Sequence, residues 1–99
     1  MHQLLIYHTA PDYLQRRGEY RSAHLDLAKA AVARGELVVG GAVGNPPESA
    51  LLLFNGETPA HATAFAKADP YVLNGLVTGW EVKPWNTVVG LSDLVPDPL

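Results

Sequence analysis

Between Gln3 and Thr9 the chain is apolar at both parities, with Leu4 and Ile6 facing one way and Leu5 and Tyr7 the other. That pattern predicts a strand covered on both faces. Ala10-Pro11-Asp12 is a turn signal, and Asp12 is a candidate helix cap. The period then becomes helical as far as Arg34. Tyr20, His24, Leu27, Ala28 and Ala31 fall along one side, with Leu25 and Val32 beside them. Gly18 marks a possible break. Gly35 is the stop, and Arg34 sits in the last turn, where a cation suits the helix dipole. Leu37 to Val43 is a second strand, Gly44-Asn45-Pro46-Pro47-Glu48 a loop, and Ser49 to Phe54 a third strand. After the Asn55-Gly56-Glu57 turn, Thr58 is the expected cap and Pro59 the first residue of a second helix, Ala60 to Ala68. Asp69-Pro70-Tyr71 opens a short helical turn toward Gly75. Val77 to Pro84 is a last strand, with Trp80 and Val82 on one face.

The resulting order, β-α-β-β-α-β, predicts an α+β fold: a ferredoxin-like, four-stranded antiparallel sheet with both helices on one face. Its other face shows no polar alternation along Leu51 to Phe54 or Leu4 to Tyr7 and needs a cover. A second copy stacking sheet on sheet is the simplest one, so a homodimer through the open face is expected. Composition strengthens this. At 99 residues the chain is one small domain, yet 47% of it is apolar and only 17% charged, more apolar surface than one such domain readily hides. The domain is expected over residues 1–86. Residues 87–99 are expected to form a tail, of which the last nine, Leu91 to Leu99, are dispensable to the core and free to contact the partner, with Pro96 and Pro98 opposing regular structure.

Charge and targeting signals narrow the class. The net charge is −3 with no run of lysine or arginine, which speaks against nucleic acid as a partner. Without cysteine there is no disulfide framework, thiol nucleophile or thiolate metal site. Met1 to His8 lacks the basic start and long apolar stretch of a signal peptide, and Ala50 to Phe54 is too short to span a bilayer. The expectation is a cytoplasmic protein with no membrane association.

The candidate chemistry centres on His24, a titratable imidazole inside the alanine- and leucine-rich stretch Arg21 to Val32. Buried there, it needs a polar partner. Asp69 is the best candidate, and a His-Asp pair is the minimal apparatus for moving a proton. Each residue also has a plainer role: His24 as a satisfied core histidine, Asp69 as an N-cap with proline at N1. A carboxylate has enough lone pairs to serve both ends. Arg21, one helical turn before His24, suits an anionic substrate or a solvated surface, and Tyr71 suits packing or a ligand hydrogen bond. His2, His8 and His61 lack metal-ligand spacing, so neither metal nor cofactor is expected. Gly40-Gly41-Ala42-Val43-Gly44 resembles a phosphate loop only superficially, because Asn45-Pro46-Pro47 starts no helix to hold the phosphate. A close backbone approach or a bulge beside the pocket is the better reading. Trp80 and Trp85 are expected core and interface anchors.

Taken in series, Arg21-Ser22-Ala23-His24-Leu25, Gly35-Glu36-Leu37 leading to Gly41, Ala66-Lys67-Ala68-Asp69-Pro70-Tyr71 and Glu81-Val82-Lys83-Pro84-Trp85 resemble the YciI-like (YCII-related) family, over roughly residues 1 to 86. The resemblance implies a dimeric α+β barrel of ferredoxin-like protomers, with a pocket whose histidine and aspartate map onto His24 and Asp69. Gly41 and Tyr71 are expected nearby and Arg21 at the mouth, all three binding substrate. Most of the family has no defined activity, but one member is a dehydrochlorinase of a chlorinated hydroxyhydroquinone, a precedent for acid–base chemistry. Ser22 and Ala42 depart from the family's usual prolines, and Ala42 is expected to change the pocket wall.

Two functions follow. One is a small acid–base enzyme, a lyase or isomerase in which His24 abstracts a proton from a small hydroxylated substrate, cyclic ones included, and Asp69 fixes the imidazole. Elimination and isomerisation both fit, since neither requires a metal, a nucleotide or a covalent nucleophile. The other is a non-catalytic small-ligand-binding or accessory module of the same fold.

Overall fold

The computed structural model describes residues 1–91. Its elements run β1 (His2–Thr9), α1 (Tyr13–Ala33), β2 (Leu37–Val43), β3 (Ser49–Asn55), α2 (Ala60–Ala68), α3 (Pro70–Leu73) and β4 (Val77–Trp85). The strands form one sheet in the order β2-β3-β1-β4 with every neighbouring pair antiparallel. This is the expected ferredoxin-like arrangement. The expected tail from residue 92 onward lies outside the described residues.

Register explains the two-sided apolar pattern. Leu5 pairs with Leu52 and Val82, Tyr7 with Ala50 and Trp80, and Gln3 with Phe54. This parity faces the helices, and Leu5, Tyr7, Leu52 and Phe54 are buried there. Leu4 pairs with Leu53 and Ile6 with Leu51, on the opposite parity. Val39 and Val43 on β2 fall beside Leu53 and Ser49 on that same face. It remains open: Val39 is 60% exposed, Val43 44% and Leu51 38%. Trp80 packs on the core, whereas Trp85 lies on the open face opposite His2 and is exposed.

α1 continues through Gly18 without a break. Tyr20, Leu27, Ala28 and Ala31 pack on the core as their spacing predicts. Gly35, at φ 77°, supplies the left-handed residue that ends the helix, with the Gly35 N–H donating to Val32 O and the Glu36 N–H to Ala31 O. Arg34 is the C-cap residue, and its guanidinium binds Glu36 at 2.9 Å.

The two expected N-caps divide. A capping side chain reaches its amide from an extended backbone, but Asp12 has ψ 18°, makes no cap bond and faces Arg16 at 3.9 Å instead. Before α2 the Thr58 hydroxyl accepts from the Ala60 N–H at 3.4 Å, as expected of a cap followed by Pro59. Among the described residues no helix is long and apolar enough to cross a membrane.

Candidate active site

Asp69 joins α2 to α3 in extended geometry, φ −69° and ψ 123°, so it caps where Asp12 does not. Its Oδ1 accepts from the Tyr71 N–H at 3.0 Å, and Pro70 occupies the first helical turn, where no amide is needed. The carboxylate has no exposure to solvent. Its remaining capacity is filled from two other elements. His24 Nδ1 lies 2.8 Å from Oδ1 and 3.0 Å from Oδ2, reaching down from α1. Tyr7 Oη, reaching up from the centre of β1, donates to Oδ2 at 2.7 Å.

A carboxylate only accepts, so Nδ1 is the donor to Asp69, and in the neutral imidazole Nε2 is the nitrogen that keeps the lone pair. The Tyr71 ring stacks on the imidazole, centroids 3.9 Å apart and planes within 7°, and Phe65 meets it edge-on at 6.3 Å. The imidazole is therefore held by a hydrogen bond in its plane and aromatic contacts around it. Burial, then the adjacent Asp69 charge, pushes the Tyr7 phenol far above the ordinary tyrosine range, so Tyr7 is a donor at every working pH.

A cavity of about 320 Å³ opens between α1 and the β2–β3 side of the sheet. His24, Arg21, Gly41 and Tyr71 all border it, while Asp69 stands behind His24. Leu25, Ala28, Leu37 and Leu52 give it apolar walls. The glycine-rich strand makes room: a Cβ on Gly40 would meet Leu52 Cγ at 3.1 Å. The expected bulge falls slightly earlier, between Leu37 and Val39. Gly41 pairs with Leu51 on the open parity and reaches the cavity through its backbone alone. Ala42 is part of the wall, where it was expected to matter. Tyr71 Oη is buried with no hydrogen-bond partner among the described residues. Burial, then Tyr13, raises the Tyr71 phenol, and nearby Arg21 and Arg17 oppose the rise.

The other histidines lie apart: His2 against Thr87, His8 against Glu81, His61 against Glu36. Among the described residues no group of three His, Cys, Asp or Glu side chains is placed to hold a metal ion. Tyr7 is the site residue that sequence reasoning missed. Its parity marked it as core, and only its hydroxyl, one of few polar atoms on the inward face of β1, hinted at a buried acceptor.

No curated protein matches the chain. Among solved structures it is similar to a 5-chloro-2-hydroxyhydroquinone dehydrochlorinase from Burkholderia phenoliruptrix, in complex with 2,5-dihydroxybenzoquinone, at 23% identity and TM-score 0.71, covering 87% of this chain and 94% of that one. Weaker likenesses include an uncharacterised NIPSNAP domain protein from Burkholderia xenovorans (12% identity, TM-score 0.49, 90% and 98% covered). Another is a dimeric ferredoxin-like protein from an uncultured marine organism (11%, 0.37, 83% and 86%). At 23% identity the first of these speaks to the fold alone. The YCII-related domain matches residues 1–86, the whole β-α-β-β-α-β unit with the His24–Asp69 site inside it, and the chain therefore belongs to the YCII-related family.

Proposed function

We propose that this protein is a small acid–base enzyme that uses His24 and Asp69 to abstract a proton from a small hydroxylated substrate, leading to elimination or isomerisation. The observation that carries the reading is the 2.8 Å contact between His24 Nδ1 and the fully buried Asp69, on the wall of an open cavity. Nδ1 is committed, so Nε2 is the nitrogen left to meet a ligand. It takes a proton from a substrate O–H or C–H. The released electron pair forms a C=O or C=C bond; in an elimination a leaving group departs with the displaced pair, and in an isomerisation the displaced pair takes the proton back from Nε2 at another atom of the substrate. The imidazolium that forms sits against the Asp69 carboxylate, which stabilises it and restores the same tautomer afterwards. No electron is gained or lost overall. The dehydrochlorinase of similar fold acts on a chlorinated hydroxyhydroquinone, which makes hydroxylated and halogenated rings the first substrates to try.

Turnover of such compounds by the wild type beside His24→Ala tests the reading. Loss of the base is expected to lower kcat/KM by about 10²- to 10⁴-fold. Asp69→Asn is expected to lower kcat and to mix the His24 tautomers, seen in the imidazole nitrogen resonances. A His24→Ala protein that turns over at the wild-type rate would remove His24 as the base, and a wild type that binds such compounds without turning them over would leave a ligand-binding module as the better description.

The open sheet face belongs to the same proposal as the contact surface of a second copy. Its apolar strip runs from Val39 and Val43 through Leu51 and Leu53 to Leu4 and Ile6, and is bordered on β4 by Glu81 and Lys83.

A further inference from the structure

The whole chain is anionic, with only seven Lys and Arg residues, yet three of these border the cavity. Arg17, Arg21 and Lys29 lie on the same face of α1 as His24, Leu25 and Ala28, and no Asp or Glu is among the lining residues. The acidic residues nearest in sequence, Glu19 and Asp26, are exposed and stand off that lining. Among the described residues none of the three cations forms a salt bridge; Arg17 only lies over the Tyr13 ring, Cζ 5.7 Å from its centroid. Beside Arg21 and Arg17, Tyr71 Oη is buried with no hydrogen-bond acceptor among the described residues. Such an orphaned hydroxyl is costly unless something supplies an acceptor.

From this we infer that the cavity takes a small, single-ring organic anion with its charge on oxygen. Arg21 and Arg17 hold the oxyanion, Tyr71 Oη donates to it, and the ring lies along the apolar wall of Leu25, Ala28 and Leu52. The size agrees, since about 320 Å³ is at the lower end of ligand pockets. The chemistry agrees as well: guanidinium is weakly hydrated, planar and suited to a carboxylate or to an enolate or phenolate oxygen. Lys29, two turns beyond Arg21, extends the positive potential along the groove. The inference rests on the cavity being the substrate site, but not on His24 acting as a base.

Benzoate and benzamide share a shape and differ in charge, which makes them the probes. Titrated into ¹⁵N-labelled protein, benzoate is expected to move the amide resonances of Gly40, Gly41 and Tyr71, and to bind about tenfold more tightly than benzamide. Added salt should shrink that preference. Arg21→Gln should abolish most of it; Arg17→Gln, on a different turn, provides the same test if the first variant folds poorly. Equal affinity for the two probes, or no shift at cavity residues with either, overturns the inference. His24→Ala separates the two proposals. If it keeps the benzoate preference and also turns over normally, the acid–base reading alone fails. If wild type turns over and His24→Ala does not, while benzamide binds as well as benzoate, the anion inference alone fails.

Discussion

Asp69 accepts from three elements at once: the N–H of Tyr71 on α3, Nδ1 of His24 on α1 and Oη of Tyr7 on β1. A carboxylate buried this completely persists because each oxygen is satisfied. Tyr7 therefore acts as a positioning residue, holding the acceptor that in turn holds the imidazole. Its phenol is raised above the unfolded value of about 10 by burial first and the Asp69 charge second. For a folded-state pKa raised in this way, the stabilisation is fully present below about pH 10 and is lost as pH rises toward the folded value, by about 1.4 kcal/mol per pH unit. Tyr7→Phe is thus expected to cost about 1–2 kcal/mol at neutral pH, with the gap to wild type closing above about pH 10. Urea unfolding of both proteins across that range checks this, and a gap that stays constant with pH would contradict it.

At the scale of elements, a local signal works where the backbone torsion suits it. The helix-ending role of Gly35 follows from its positive φ, which costs a residue with a Cβ about 1 kcal/mol. Gly18 is the opposite case, lying mid-helix with nothing within 4 Å of an added Cβ. Gly35→Ala is expected to lower stability by about 1 kcal/mol, and Gly18→Ala to raise it by about 0.5–1 kcal/mol. The unfolding midpoints of the two variants should move in opposite directions; parallel shifts would refute the account of either glycine. The N-terminus of α1 differs from expectation because capping depends on the incoming backbone torsion as well as on residue type. Asp12 and Asp69 are the same type, but only Asp69 is reached in extended conformation.

For the whole molecule, the decisive feature is a sheet with helices on one face only. The open face carries Leu4, Ile6, Leu51 and Leu53 beside exposed Val39 and Val43, an apolar strip of the kind that marks an association surface. The wild type is expected to sediment as a homodimer at micromolar concentration. Leu51→Glu, placing a charge in the middle of that face, should give folded monomers, since an unpaired charge between two sheets costs several kcal/mol. A wild type that sediments as a monomer would remove the open face from the proposal.

Residue patterning alone determined the element order, because strand and helix periods differ and glycine and proline punctuate them. It also determined that both strand faces are apolar, and it marked His24 as needing a partner and Asp69 as the candidate for both that partner and a cap. These follow from local sterics and from the cost of burying an unpaired polar group, and both can be read along the chain. Tertiary structure alone decided that Tyr7 completes the Asp69 site, that Tyr71 stacks flat on His24, and that Arg17 and Lys29 join Arg21 along one groove. Tyr7 and Asp69 are 62 positions apart, and their meeting depends on β1 occupying the middle of the sheet beneath the α2–α3 junction. Side chains so distant in sequence leave no periodic trace of one another, so only packing in three dimensions brings them to a common point.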